Sequence, residues 1–306
     1  MSTLPYPNSP LHDVMRATAA RHPDRRAITF KGAMWSFAQF DLDSNRFANG
    51  LAALGLGFGD RMSLYLPNCP QYELGFYAAS KLGAIACPLN PSYRERELIY
   101  QVTDSGATVM LTHASLWPVV EASRAQIGNI AHFIVVGDGP PAKGAVSSYD
   151  NVIGGARSEP PSVRVDPDQV VALPYSSGTT GLPKGVMLTH WNLVCNHMQF
   201  GTASRLGPTD AYPVYLPLSH IYGVALMGLA MWSGAHQILM ERFDLEAIVS
   251  AIQEHRATWL HTRFRCVSIT PFGRPVVPLE YGSATTWSGS TRTAGGSLLA
   301  SPMTAS

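Results

Sequence analysis

Charge is scarce in this sequence: of 306 residues 14% are charged, and the formal net charge is +1. That balance excludes a basic nucleic-acid footprint and an acidic tail, so nucleic acid is not expected as a partner. Cysteine is scarcer still. Cys69, Cys87, Cys195 and Cys266 are widely spaced with no C-x-x-C pair, a pattern of small buried residues in a reducing compartment, not of disulfides or zinc. Long apolar runs are missing too. The most apolar later stretch, Ile221 to Trp232, is too short to span a bilayer and reads as a buried helix, so no integral membrane segment is expected. Met1 to Pro10 is proline-rich and lacks the basic and apolar regions of a signal peptide. These absences predict a cytoplasmic protein and leave its oligomeric state open.

What is present is alternation. Ser9-Pro10 before Leu11, Val14 and Met15 reads as an N-cap, a proline at the first helical position and an apolar stripe. Ala27 to Phe30, Lys31-Gly32 and Ala33 to Trp35 read as a hairpin. Ser36 and Gln39 open a capping box for a helix that Gly55 stops. From Met62 the pattern becomes strand, helix, strand, helix, with apolar strands at 62–66, 84–89, 108–111 and 133–136. Continuous apolar strands between helices of about 11 residues predict an α/β fold of layered parallel sheets with helices on both faces. Gly137 to Pro167 reads as a long surface connection. Alternation then resumes from Val170 to His261, with Thr189 predicted to cap a helix.

The chemistry-bearing stretch is Tyr175-Ser176-Ser177-Gly178-Thr179-Thr180-Gly181-Leu182-Pro183-Lys184-Gly185-Val186, a polar loop between two apolar runs. Glycines let backbone N–H groups turn inward, hydroxyls add donors and Lys184 adds one mobile positive charge, so the loop suits a polyphosphate. Lys184 lies at the Walker A offset from Gly178. Pro183 and Gly185, however, replace the second glycine and the Mg²⁺-binding hydroxyl, which excludes that chemistry. An ordinary polar surface loop is the alternative.

The string resembles the signature phosphate loop of the AMP-forming adenylate synthetases, the family of acyl-CoA synthetases and 4-coumarate-CoA ligases. Downstream, Leu216-Pro217-Leu218-Ser219-His220-Ile221-Tyr222-Gly223 resembles the segment whose ring lines that family's acyl pocket. The resemblance implies ATP, Mg²⁺ and CoA as cofactors and a fatty or aryl carboxylate as small-molecule substrate, activated through an acyl-adenylate to acyl-CoA. It further implies that Ser176, Ser177, Gly178, Thr179, Thr180, Gly181 and Lys184 cradle the β- and γ-phosphates, with the Thr180 hydroxyl reaching Mg²⁺. His220 would sit between the acyl pocket and the α-phosphate. His190 and His197 stand seven apart without a third ligand, and a metal site there is not expected.

The resemblance runs from about Leu11 to Thr262, which sets the expected domains: 1–262, a partial AMP-binding domain, and 263–306, an irregular tail. Half of the residues from Arg263 to Ser306 are Ser, Thr, Gly or Pro, and neither helical nor strand periodicity survives. The expectation is a truncation or an altered reading frame, with a natural disordered tail as the alternative. Tyr281-Gly282-Ser283-Ala284-Thr285 lacks the glutamate of the family's metal-binding segment, and no adenine, ribose or CoA site is identified. The chain is therefore expected to have low or no ligase activity, or to be a non-catalytic remnant that binds ATP or pyrophosphate or serves as an interaction module.

Overall fold

The computed structural model describes residues 6–139, 143–176, 182–262 and 265–268. It opens with α1 (Leu11–Arg21), the hairpin β1 (Arg26–Phe30) and β2 (Ala33–Ser36), and α2 (Phe37–Ala53). Strict alternation follows: β3 (Arg61–Tyr65), α3 (Pro70–Leu82), β4 (Ile85–Pro88), α4 (Glu95–Ser105), β5 (Val109–His113), α5 (Trp117–Ser123) and β6 (His132–Val136). Then come β7 (Val146–Ser148), α6 (Tyr149–Gly154), β8 (Val170–Ala172), β9 (Tyr175–Ser176), β10 (Lys184–Gly185), β11 (Leu188–Thr189) and α7 (His190–Ser204). The last elements described are β12 (Ala211–Val214), α8 (Ile221–Ser233), β13 (His236–Leu239), α9 (Leu245–Glu254), β14 (Trp259–Thr262) and β15 (Arg265–Ser268).

Two larger sheets organise these elements. One has the order β11-β8-β4-β3-β5-β6-β7 and the other β12-β13-β1-β2. All neighbours are parallel except β11 with β8 and β1 with β2. Helix α3 lies between the sheets, and all its residues except Gln71 are buried. Its Gly75 approaches Leu64 of β3 and Leu111 of β5, while its Glu73 accepts a hydrogen bond from Gln237 of β13. A helix covered all round buries its polar residues too, and here the charged ones are paired, Glu73 with Gln237 and Lys81 with Asp41. It ends at Gly83 and α4 at Gly106, both left-handed (φ 67° and 64°).

Several local expectations change. Pro10, not Ser9, is the N-cap of α1, because the Pro10 carbonyl accepts the first helical bond from the Asp13 N–H. Ser36 accepts the Gln39 N–H at 3.1 Å, but the Gln39 amide turns to Asp43 at 2.8 Å, leaving half of a capping box. The connection from 137 to 167 contains β7 and α6. Tyr149 packs its ring 4.8 Å from that of Phe47 and Val152 packs against Gly50, so a polar composition concealed a helix docked on α2. The chain entering the polar loop forms two strands, β8 and β9, separated at Pro174, which has no N–H for a ladder. Past residue 262, Arg265–Ser268 pairs antiparallel with β14.

Candidate functional site

The loop singled out in the sequence stands on a braced base. Ser176 and Lys184 are register partners in the antiparallel ribbon β9–β10, as are Tyr175 and Gly185. The Val186 N–H donates to the Pro174 carbonyl at 2.8 Å and closes the ribbon from below. Two tyrosine hydroxyls fasten it to α4: Tyr100 donates to the Pro183 carbonyl at 2.9 Å, and Tyr175 donates to the Asp104 carboxylate at 2.6 Å. Burial pushes the Tyr175 phenol well above its ordinary pKa, and the Asp104 charge adds to the shift, so the hydroxyl stays a donor. Ser176 and Lys184 are both exposed. Ser177, Gly178, Thr179, Thr180 and Gly181 lie outside the described residues.

His220 is the N-cap of α8, the helix that follows the second sheet's β12. Its Nδ1 accepts the Tyr222 N–H at 3.1 Å, which places the proton of the neutral ring on Nε2, and the side chain is exposed. The turn before it is tight: the His220 N–H donates to the Pro217 carbonyl at 3.0 Å, and a Cβ on Gly223 would overlap that same carbonyl oxygen. The residues around His220 are thus fixed by the backbone path. Ser176 and Lys184 are brought together, whereas His220 caps the helix that follows β12 of the other sheet and hydrogen-bonds to neither among the described residues.

A residue the sequence reading missed joins these halves. Asn68, in the loop after β3, donates to the carbonyls of Leu216 at 2.8 Å and Met240 at 3.0 Å, and accepts the Leu218 N–H at 2.8 Å. An asparagine set between Leu66-Pro67 and Cys69-Pro70, just past an apolar strand, was the available signal. The carboxyl ends of β3, β12 and β13 therefore meet at this amide, on the side where open α/β sheets receive ligands.

The buried histidines are structural. His190 accepts the Leu11 N–H at 3.1 Å, His12 pairs with the Ser80 hydroxyl at 3.0 Å, and the two rings meet edge-on at 5.9 Å. Burial lowers His190 and His197 to about 4 and, with the neighbouring positive groups, His12 to about 3. Among the described residues no three His, Cys, Asp or Glu side chains gather so as to hold a metal ion. Cys69, Cys87 and Cys195 are free thiols. No helix among the described residues is long and apolar enough to cross a membrane.

Comparison with known proteins extends this geometry. A family model described as AMP-binding enzyme matches residues 15–265. A 4-coumarate–CoA ligase of Solanum tuberosum is 35% identical over 249 residues, covering 80% of this chain and 43% of the relative. One from Petroselinum crispum is 34% identical over 275 residues, covering 88% and 48%. The chain thus spans about half the length of the curated relatives it matches. Among solved structures, a long-chain-fatty-acid–CoA ligase from Archaeoglobus fulgidus superposes with TM-score 0.77 at 26% identity over 84% of this chain and 52% of that one. A Mycobacterium tuberculosis fatty acyl CoA synthetase gives TM-score 0.74 at 28% identity, over 81% and 48%.

Proposed function

Because the chain belongs to the AMP-binding enzyme family, we propose that it carries the phosphate-gripping and acyl-facing parts of an ATP-dependent carboxylic acid–CoA ligase. The register pairing of Ser176 with Lys184 carries this reading, since it closes the phosphate loop on a base braced by Tyr100 and Tyr175. In the reaction a carboxylate oxygen attacks the α-phosphorus of ATP, the bond to the β-phosphate oxygen breaks, and pyrophosphate leaves. The CoA thiol then attacks the acyl carbon, gives up its proton, and displaces AMP to form the thioester.

Both reactants of the first step are anions, so the protein's task is to hold them together and to stabilise charge on the leaving group. Lys184 supplies a charge-assisted contact to the β- and γ-phosphates, and Ser176, Ser177, Thr179 and Thr180 supply hydroxyls, with Gly178 and Gly181 admitting close backbone approach. The Thr180 hydroxyl would be one oxygen ligand of an Mg²⁺ carried by the nucleotide, and the ion would neutralise charge on the phosphates. His220, at the positive end of α8, offers its Nε2–H to the reacting carboxylate or the α-phosphate. The ligase names of the relatives point to aryl and fatty acids, with 4-coumarate as the first acid to test. The free cysteines support a cytoplasmic setting.

The test is calorimetry with MgATP and with pyrophosphate, followed by pyrophosphate release and thioester formation with CoA and a panel of 4-coumarate, benzoate, octanoate and palmitate. Binding of both phosphate ligands, and pyrophosphate release with at least one acid, is the expected result. Absence of phosphate binding at millimolar ligand overturns the reading.

A further inference from the structure

We propose that Asn68 is a positioning residue for this reaction, one that sets the His220 segment without touching substrate; the inference rests on the function proposed above. Its amide has one acceptor and two donor hydrogens, and all are engaged by three backbone groups of two separate segments, Leu216, Leu218 and Met240. Asn68 is 5% exposed, so a lost partner is not replaced freely by water. The groups it holds lie just past the ends of β12 and β13, while Asn68 itself lies just past β3. One side chain thereby ties the carboxyl edge of the seven-stranded sheet to that of the four-stranded sheet.

The coupling to His220 is short. Fixing the Leu218 N–H fixes the Pro217 carbonyl before it, which accepts the His220 N–H and fills the space above Gly223. His220 in turn caps Tyr222. One peptide plane and two hydrogen bonds thus link the amide of Asn68 to the backbone of His220. No other side chain of this size supplies the same set: aspartate loses both donors and sets a negative charge beside two carbonyl oxygens, and leucine leaves all three groups unpaired.

The experiment compares Asn68→Asp, His220→Ala and the double variant with the parent chain. Leu218 amide exchange and the His220 ring signals are read by NMR, and affinities for pyrophosphate and for a non-hydrolysable coumaroyl-sulfamoyl-adenosine are read by calorimetry. In Asn68→Asp we expect faster Leu218 exchange, a shifted His220 ring signal and at least tenfold weaker binding of the adenylate analogue. Pyrophosphate affinity should be unchanged, because its loop stands on a different base. In the His220→Ala background the aspartate should cost no further analogue affinity. Additive losses in the double variant, or unaltered Leu218 exchange and His220 signals, overturn the proposal. A parent chain that binds pyrophosphate but no analogue overturns the positioning proposal, whereas one that binds neither refutes the functional reading. If Asn68→Asp does not fold, Asn68→Ser takes its place in every arm.

Discussion

Lys184 carries the only positive charge between Tyr175 and Leu188, and its removal isolates that charge as a variable. A charge-assisted contact contributes about 1.5–3 kcal/mol, so Lys184→Ala should weaken pyrophosphate binding about ten- to a hundredfold in calorimetry, with thermal stability unchanged. Gly223 answers a different question. A methyl group there meets the Pro217 carbonyl and the Leu218 backbone rather than a movable side chain, so Gly223→Ala should cost about 1–3 kcal/mol in urea denaturation. Gly128→Ala, with nothing within 4 Å of the added carbon, should change stability by less than about 0.5 kcal/mol. Equal effects of the two would refute the close-packed turn. Lys184 and His220 were legible in the sequence because each sits in a contiguous motif. Asn68 was not, since its partners lie 148 to 172 residues away, and a polar contact at that separation leaves no local periodicity.

Buried titratable groups on the helices give the elements a pH dependence with two opposite slopes. His12 on α1 and His190 and His197 on α7 fall from an ordinary pKa of 6.5 to about 3 to 4 when folded. Between those values the unfolded chain binds more protons than the folded one, so stability falls as pH drops from about 6.5 toward 4. Urea midpoints at pH 6.5 and 4.5 should show this, and His190→Gln, which keeps an acceptor for Leu11, should reduce the difference. Glu73 on α3 behaves in reverse. Burial raises its carboxyl from 4.5 to about 8, and its Oε2 and the Gln237 Oε1 have no partner among the described residues. Protonation removes the buried charge that has no counter-ion among the described residues. The folded state holds a proton that the unfolded chain releases, so stability falls as pH rises from 4.5 through about 8. Glu73→Gln should flatten the decline between pH 6.5 and 8, and an undiminished decline would show that Glu73 is already charged. Apolar runs made the central strands β3 to β6 legible beforehand. The pair β7 and α6 escaped because its docking depends on Tyr149 and Val152, two apolar residues amid glycine, serine and proline.

At the scale of the whole molecule, one apolar cluster runs through both sheets, joining Ile28, Leu64, Phe76, Leu111, Val194, Tyr212 and Leu229. A second, including Met110, Val120 and Phe133, lies on the seven-stranded sheet and shares its strands. The two sheets should therefore unfold together, with coincident urea transitions by far-ultraviolet circular dichroism and by tryptophan fluorescence. Separate transitions would show that the sheets are independent bodies. The sheet order adds a consequence in time. Strand β1 is central in its sheet, between β2, which follows at once, and β13, whose His236 meets Thr29 across 207 residues of chain. Synthesis adds about 5–20 residues per second, so the first strand made waits about 10–40 seconds for its parallel partner to leave the ribosome. Until then the early hairpin presents an unsatisfied edge, and a nascent chain halted before His236 should be the species that chaperones hold longest.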